Sequence, residues 1–270
     1  MVLHYDIDDV RPYINWIYFD HAWSMNGKSK DEKEPLYNDA RQMLDNWQGR
    51  YYTHAVFVLL PANSEGDDIV AGGIRLPMLR QQRPSAPGQP NLCLADFVRP
   101  ASSGQTDRIG AFATSVDAGL QRAYAADVYQ RMLAQVLADR LAEGTAELMH
   151  LQVRRHYWGY ARDEHLSMAD LHAERYQGIR PAVGYPSMPD TSMNFLIDKL
   201  VDMKQIGIRL TPSGMMQPHA SVSGLMFAHP AARYFDLGKI GEDQLRDYAH
   251  RRGLPVELLR RFLGNSLLKK

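Results

Sequence analysis

Cysteine is almost absent from this 270-residue chain, with Cys93 its only example. That excludes an internal disulfide and any cysteine-rich zinc or iron–sulfur centre, and it leads us to expect a reducing cytoplasm. Long apolar runs are lacking too. The longest, AVFVLLPA from Ala55, is strand-sized, far short of the ~20 residues that cross a bilayer. Net charge is also missing, with 31 basic residues against 31 acidic, which removes the electrostatic footprint of nucleic-acid or anionic-membrane binding. The opening MVLHYDIDDV has neither the basic nor the apolar stretch of a signal peptide. No G-x-G-x-x-G, P-loop, H-E-x-x-H or G-x-S-x-G pattern occurs, so the common nucleotide, zinc-protease and hydrolase signatures fail.

What remains is an ordinary globular composition, 45% hydrophobic and 23% charged, sufficient for a sizeable core and, at this length, for one domain over residues 1–270. THAVFVLL over 53–60 reads as a buried strand, PANSEGDDIV as a turn into the next, and IGAFATSV as a third. NLCLADFV also reads as strand. RPSAPGQP reads as a proline-rich surface loop, and KSKDEKEP as a solvated loop before a helix through Tyr37–Trp47. From Asp127 to about His150 the period changes. Val128, Met132, Val136 and Leu141, with Leu133, Leu137 and Leu148, mark a long amphipathic helix in which Gly144 signals close packing or a ligand's approach.

Ser167-Met-Ala-Asp170 has the form of a capping box that starts a short helix carrying Glu174 and stopping at Gly178. A helix is expected from about Asn194 to Gln205, a strand in ASVSGLMFAHP, and a helical tail from Glu242 to Leu263. Trp16, Phe19 and Trp23 are expected in the core. Strands joined by short polar turns, without regular βα alternation, predict an α+β fold on an antiparallel sheet.

One segment carries chemistry. In YQGIRPAVGYP, Tyr176 to Pro186, Pro181 and Pro186 disfavour helix at Arg180 and Tyr185, and Gly184 leaves room beside the main chain. An arginine fork on extended backbone suits a carboxylate or a phosphate, or simply an ion pair.

YQGIRPAVGYP closely resembles the fingerprint of the activation (reactivation) domain of cobalamin-dependent methionine synthase, and further blocks follow in family order. They include YINW at Tyr13, LRQQ at Leu79, CLADFV at Cys93, IGAFA at Ile109, DRLAE at Asp139, YWGYA at Tyr157 and ASVSG at Ala220. The resemblance covers nearly the whole chain. It implies a C-shaped α+β domain with a twisted antiparallel sheet and flanking helices, binding S-adenosylmethionine in a shallow groove. The domain would support reductive methylation of inactive cob(II)alamin to methylcobalamin, with an electron from flavodoxin or a related flavoprotein. Cobalamin itself would be bound by a partner module, in the same chain or in trans; the homocysteine, folate and cobalamin modules are not in this sequence.

Carried over block by block, Arg180 would clasp the ligand's carboxylate, with Ala182, Gly184 and Tyr185 around it. Glu143 in DRLAE and Glu174 before the fingerprint would meet the cationic part, while Tyr234 and Phe235 in HPAARYF would lie along the adenosyl or sulfonium region. Two departures stand out. Asn15 replaces the aspartate usual in YIDW and offers no charge to an ammonium group, and Thr191 follows Asp190 where the family commonly has histidine. The alternative to ligand binding is a docking module that has lost it through Asn15. A D-x-H-x-x-G signature for cobalt ligation is half-matched by Asp170-Leu-His172, but Arg175 occupies the glycine position and the match reads as chance.

Overall fold

The computed structural model describes residues 1–268, with Gln121 described by its backbone alone. A curled antiparallel sheet is built on two long neighbours, β2 (Tyr52–Glu65) and β5 (Asp107–Val116), paired from Thr53↔Val116 to Ala62↔Asp107. On the other edge of β2, β1 (Val2–Asp6) pairs with its first residues and β3 (Asp68–Ala71) with its last. β4 (Ile74–Pro77) extends the sheet beyond β3. β6 (Arg209–Leu210) and β7 (Met216–Gln217) form a separate ribbon, and β8 (Ser221–Met226) pairs with the free side of β5.

The helices are α1 (Ile7–Val10), α2 (Trp16–Ala22), α3 (Lys30–Trp47), α4 (Gly119–Arg122), α5 (Val128–Gln152), α6 (Met168–His172), α7 (Met193–Val201), α8 (Glu242–Arg252) and α9 (Val256–Phe262). Alternation along the strands assigns them to two sides. Ile109, Ala111 and Ala113 of β5 join a core with Ile197 of α7, Leu245 of α8 and Leu259 of α9. Phe112 and Val116 join another with Trp47 of α3 and Leu133, Leu137 and Leu141 of α5. Both faces of the sheet are therefore covered, which is why β5 reads as a nearly continuous apolar run. Phe19 is fully buried as expected, whereas Trp16, stacked on Tyr37 at 5.1 Å, and Trp23 are only half-buried and pack against that core from its margin.

Several expectations change. LADF is a 3-10 turn rather than a strand, because Asp96 accepts from the Cys93 amide at 2.8 Å and ties the segment to Arg80. KSKDEKEP is not a loop: Ser29 and Glu32 form a capping box and α3 begins at Lys30. On α5 the buried stripe runs through Leu133, Leu137 and Leu141, whereas Val128 and Met132 are exposed. The first turn of that helix packs instead through Tyr129, whose hydroxyl reaches Asp39 and whose ring meets Trp23. The helical tail is broken at Gly253, whose φ is +61°. α6 ends at His172, so Glu174 lies outside it with a φ of +56°.

Gly144 does mark close packing. A Cβ there would stand 3.1 Å from Val10 Cγ1 and 3.4 Å from the Tyr13 carbonyl, so the absence of a side chain lets the YINW segment lie against α5. Cys93 is buried, and burial pushes its thiol up to about 12, which leaves it unreactive at neutral pH. Among the described residues, no helix is long and apolar enough to cross a membrane.

Candidate functional site

The Arg180 segment lies along β8 as an added strand. Ile179 and Phe227 exchange backbone hydrogen bonds at 3.0 and 2.9 Å, Leu225 N donates to Pro181 O at 3.1 Å, and Val183 N donates to Ser223 O at 2.9 Å. Ile179 faces Phe227 and Ala182 faces Gly224 across this pairing. Pro181 accepts from Leu225 N but has no N–H to return to Leu225 O, so this rung of the pairing carries one bond instead of two, a loss that an edge strand tolerates. Two glycines permit the approach. A Cβ on Gly224 would fall 2.2 Å from Pro181 O, and one on Gly178, at φ +83°, would fall 2.2 Å from Phe227 O. At the far end Gly184, at φ +90°, turns the chain so that its amide meets Met188 O at 2.9 Å.

This extended backbone holds Arg180 at three points. Its amide donates to the Tyr234 hydroxyl at 3.0 Å, Nη1 to the Tyr176 hydroxyl at 2.7 Å, and Nη2 to Glu147 Oε2 at 2.7 Å. The Arg180 side chain is 14% exposed and that of Glu147 6%. The fork is thus largely desolvated, where a charge-assisted bond is strongest. Desolvation raises the carboxyl of Glu174 above its ordinary value, the charge of Arg180 opposes that rise, and Glu147 adds to it.

Glu143 sits one turn before Glu147 on α5 and accepts a short hydrogen bond from the Tyr185 hydroxyl. Burial, with Glu143 adding to it, raises the Tyr185 phenol, so it stays protonated and donates. The groove these residues border, about 410 Å³, is lined by Glu143, Glu174, Arg180 and Ala182 along with Tyr185, Tyr234 and Phe235. Asn15 lines an adjoining cavity of about 270 Å³ that shares Glu143, Glu174, Arg180 and Tyr185. Its side-chain oxygen caps α2, accepting from Ile17 N at 3.2 Å. Gly184 borders neither cavity; its part is the turn that carries Tyr185.

The pattern of fork, carboxylates and aromatic walls suits a small ligand bearing both charges. Glu147 and Tyr176 were not singled out in the sequence, although signals for both exist. Glu147 follows Glu143 at i+4 and so shares its helix face, and Tyr176 begins the fingerprint.

Behind Tyr176 lies a second polar layer. The Arg154 guanidinium sits 4.0 Å from the Tyr176 ring centroid, forks onto Glu164, and donates to His150 Nδ1 at 2.8 Å. His150 is fully buried at the end of α5, just before a π-helical turn over Val153–Tyr157. Burial, reinforced by the charges of Arg154 and Arg180, holds its pKa well below the usual histidine value. Below about pH 6.5 the unfolded chain therefore takes a proton that folded His150 refuses, and stability falls as pH drops, by up to about 1.4 kcal/mol per pH unit from this group. Urea denaturation of the parent chain and of His150→Gln at about pH 7.5 and about pH 5.5 checks this. The variant is expected to lose less stability between the two; equal losses would refute the assignment.

Fold and groove together describe an α+β module that presents a charge-paired ligand groove beside an added sheet strand. The chain belongs to the family of the vitamin B12 dependent methionine synthase activation domain, whose family model matches residues 6–253. A solved structure described as the MetH reactivation domain bound to AdoHcy is 39% identical. The match covers 100% of this chain and 90% of that one, with a TM-score of 0.93.

Proposed function

We propose that this chain binds S-adenosylmethionine in the groove between α5 and the Arg180 strand and presents it to a cobalamin held by another module. The observation that carries this is the Arg180 fork at the groove wall, in a chain related over its whole length to a reactivation domain bound to AdoHcy. S-adenosylmethionine is a zwitterion with a third charge on sulfur, and the groove offers groups of both signs. Arg180 takes the carboxylate, with the backbone of Ala182 and Tyr185 beside it. Glu143 and Glu174 face the sulfonium, and Tyr234 and Phe235 flank the adenosyl side.

When bound, S-adenosylmethionine supplies the methyl group that an inactive cobalamin accepts on reduction. The chain's own residues bind and orient: the β8 pairing fixes Arg180, α5 fixes Glu143, and the Tyr185 hydroxyl holds the Glu143 carboxylate in place. We assign residues 1–270 to one activation domain that serves a methyltransferase without carrying the whole reaction. A cobalamin module and a flavodoxin-like electron donor are its partners, and the single buried cysteine fits a reducing cytoplasm.

The test is reactivation of a cob(II)alamin-loaded cobalamin module by this chain and a flavoprotein reductant, with and without S-adenosylmethionine. Recovery of methylcobalamin is expected only when both the chain and S-adenosylmethionine are present. Recovery that ignores S-adenosylmethionine would reduce the chain to a docking module.

A further inference from the structure

Four carboxylates, Glu143, Glu147, Glu174 and Asp236, border the groove and its adjoining cavity, but one is unlike the others. Glu147 is 4% exposed; its Oε2 holds Arg180, and its Oε1 is a buried oxygen with no hydrogen-bond partner among the described residues. An anionic oxygen buried in this state is costly unless something cationic completes it. Glu147 lines the cavity that adjoins the groove, together with Asn15, Glu143 and Glu174. We propose that Glu147 is the acceptor for the ligand's ammonium group, so that one side chain both orients the Arg180 fork and completes the amino-acid subsite.

The chemistry of an α-amino acid selects it. Ammonium and carboxylate are borne on one carbon, so the anion that takes the first must adjoin the cation that takes the second. Glu147 touches the Arg180 guanidinium directly, at 2.7 Å. Glu143 is engaged by the Tyr185 hydroxyl. Glu174 is an exposed residue past α6 that makes no ion pair with Arg180 among the described residues, and Asp236 lies outside the cavity that Glu147 lines, its Oδ1 accepting from Gly238 N. Asn15 is neutral, and its oxygen is spent on the Ile17 amide. Glu147 therefore supplies the charge that Asn15 does not.

This inference rests on the proposal that an S-adenosyl amino acid occupies the groove, and the experiment separates the two. S-adenosylhomocysteine and its deaminated analogue, which keeps the carboxylate but has no ammonium, are titrated into the parent chain and into Glu147→Gln. Glutamine retains an oxygen for Arg180 but no charge. The parent is expected to favour S-adenosylhomocysteine by about tenfold or more. In Glu147→Gln that preference is expected to vanish, while the deaminated analogue still binds within about threefold of the parent. A preference that survives the substitution, or an equal loss for both ligands, overturns the assignment. Should the parent bind neither ligand, the groove reading itself fails and this inference falls with it. If Glu147→Gln does not fold, a crystal structure of the parent with S-adenosylhomocysteine decides. The ligand's amino nitrogen on Glu147 Oε1 sustains the proposal, and the same nitrogen on Asn15, Glu143 or Glu174 refutes it.

Discussion

Arg180→Ala is expected to weaken S-adenosylhomocysteine binding by at least about a hundredfold, the loss of two charge-assisted bonds to one carboxylate at about 1.5–3 kcal/mol each. It also strands Glu147, whose buried side chain bonds through Arg180. Removing one member of a buried pair costs about 3–5 kcal/mol, so the variant should unfold at distinctly lower urea. Arg180→Lys separates charge from geometry. Lysine keeps the cation but cannot reach Tyr176, Glu147 and a ligand in one plane, so it should recover most of the stability and little of the affinity. Calorimetric titration and urea melts of the three proteins check this. Near-parental affinity in either variant would remove Arg180 from the site.

The second large effect involves no ligand-facing residue. Gly224→Ala places a Cβ 2.2 Å from Pro181 O, 2.9 Å from Phe112 Cε1 and 3.0 Å from Ala182 Cα. Two of those three atoms are backbone of the Arg180 strand. The strand must move off β8, breaking the bonds from Leu225 N to Pro181 O and from Val183 N to Ser223 O. Overpacking of this kind costs about 1–3 kcal/mol, and the displaced fork should cost at least about tenfold in affinity. Gly184→Ala is the informative contrast, since nothing lies within 4 Å of its added Cβ and only its φ of +90° resists. It should cost about 1–3 kcal/mol through strain, with β8 pairing intact. An unchanged urea midpoint and unchanged affinity in Gly224→Ala would show that the strand does not depend on that contact.

Much of this arrangement is legible in the chain before folding. Pro181 keeps Arg180 out of helix, and the observed backbone is indeed extended along β8. The capping box at Ser167 places α6, and Asp127 accepts from Gln130 N to start α5. Other features depend on tertiary contacts that no local period reports. LADF is apolar enough to pass for a strand, and only the side chain of Asp96, shared between Cys93 and Arg80, curls it into a turn. Glu174 leaves its helix early at φ +56°, a conformation that a non-glycine residue adopts only under constraint from its surroundings. Val128 and Met132 fit the helical period, yet they sit on the exposed face of the first two turns of α5. Glu147 was hidden for a different reason. Its importance lies in what it touches, and a second glutamate at i+4 reads equally well as helix surface.

Glu143, Glu174, Arg180, Ala182, Tyr185, Tyr234 and Phe235 all border one groove, although they come from segments up to 92 residues apart (Glu143 to Phe235, 235 − 143). The resemblance supplies that grouping; composition and spacing alone leave Arg180 free to serve a carboxylate, a phosphate or an ion pair. The structure adds that Arg180 is already in an ion pair with Glu147; in the proposed complex the ligand carboxylate shares the fork with it.

The groove is proposed to hold an S-adenosyl amino acid. Isothermal titration of the purified chain with S-adenosylhomocysteine tests it most directly. A saturable isotherm with one site per chain, lost in Arg180→Ala, is the predicted result; a parent chain that gives no binding heat at millimolar ligand, and no shift in its melting temperature, would contradict it.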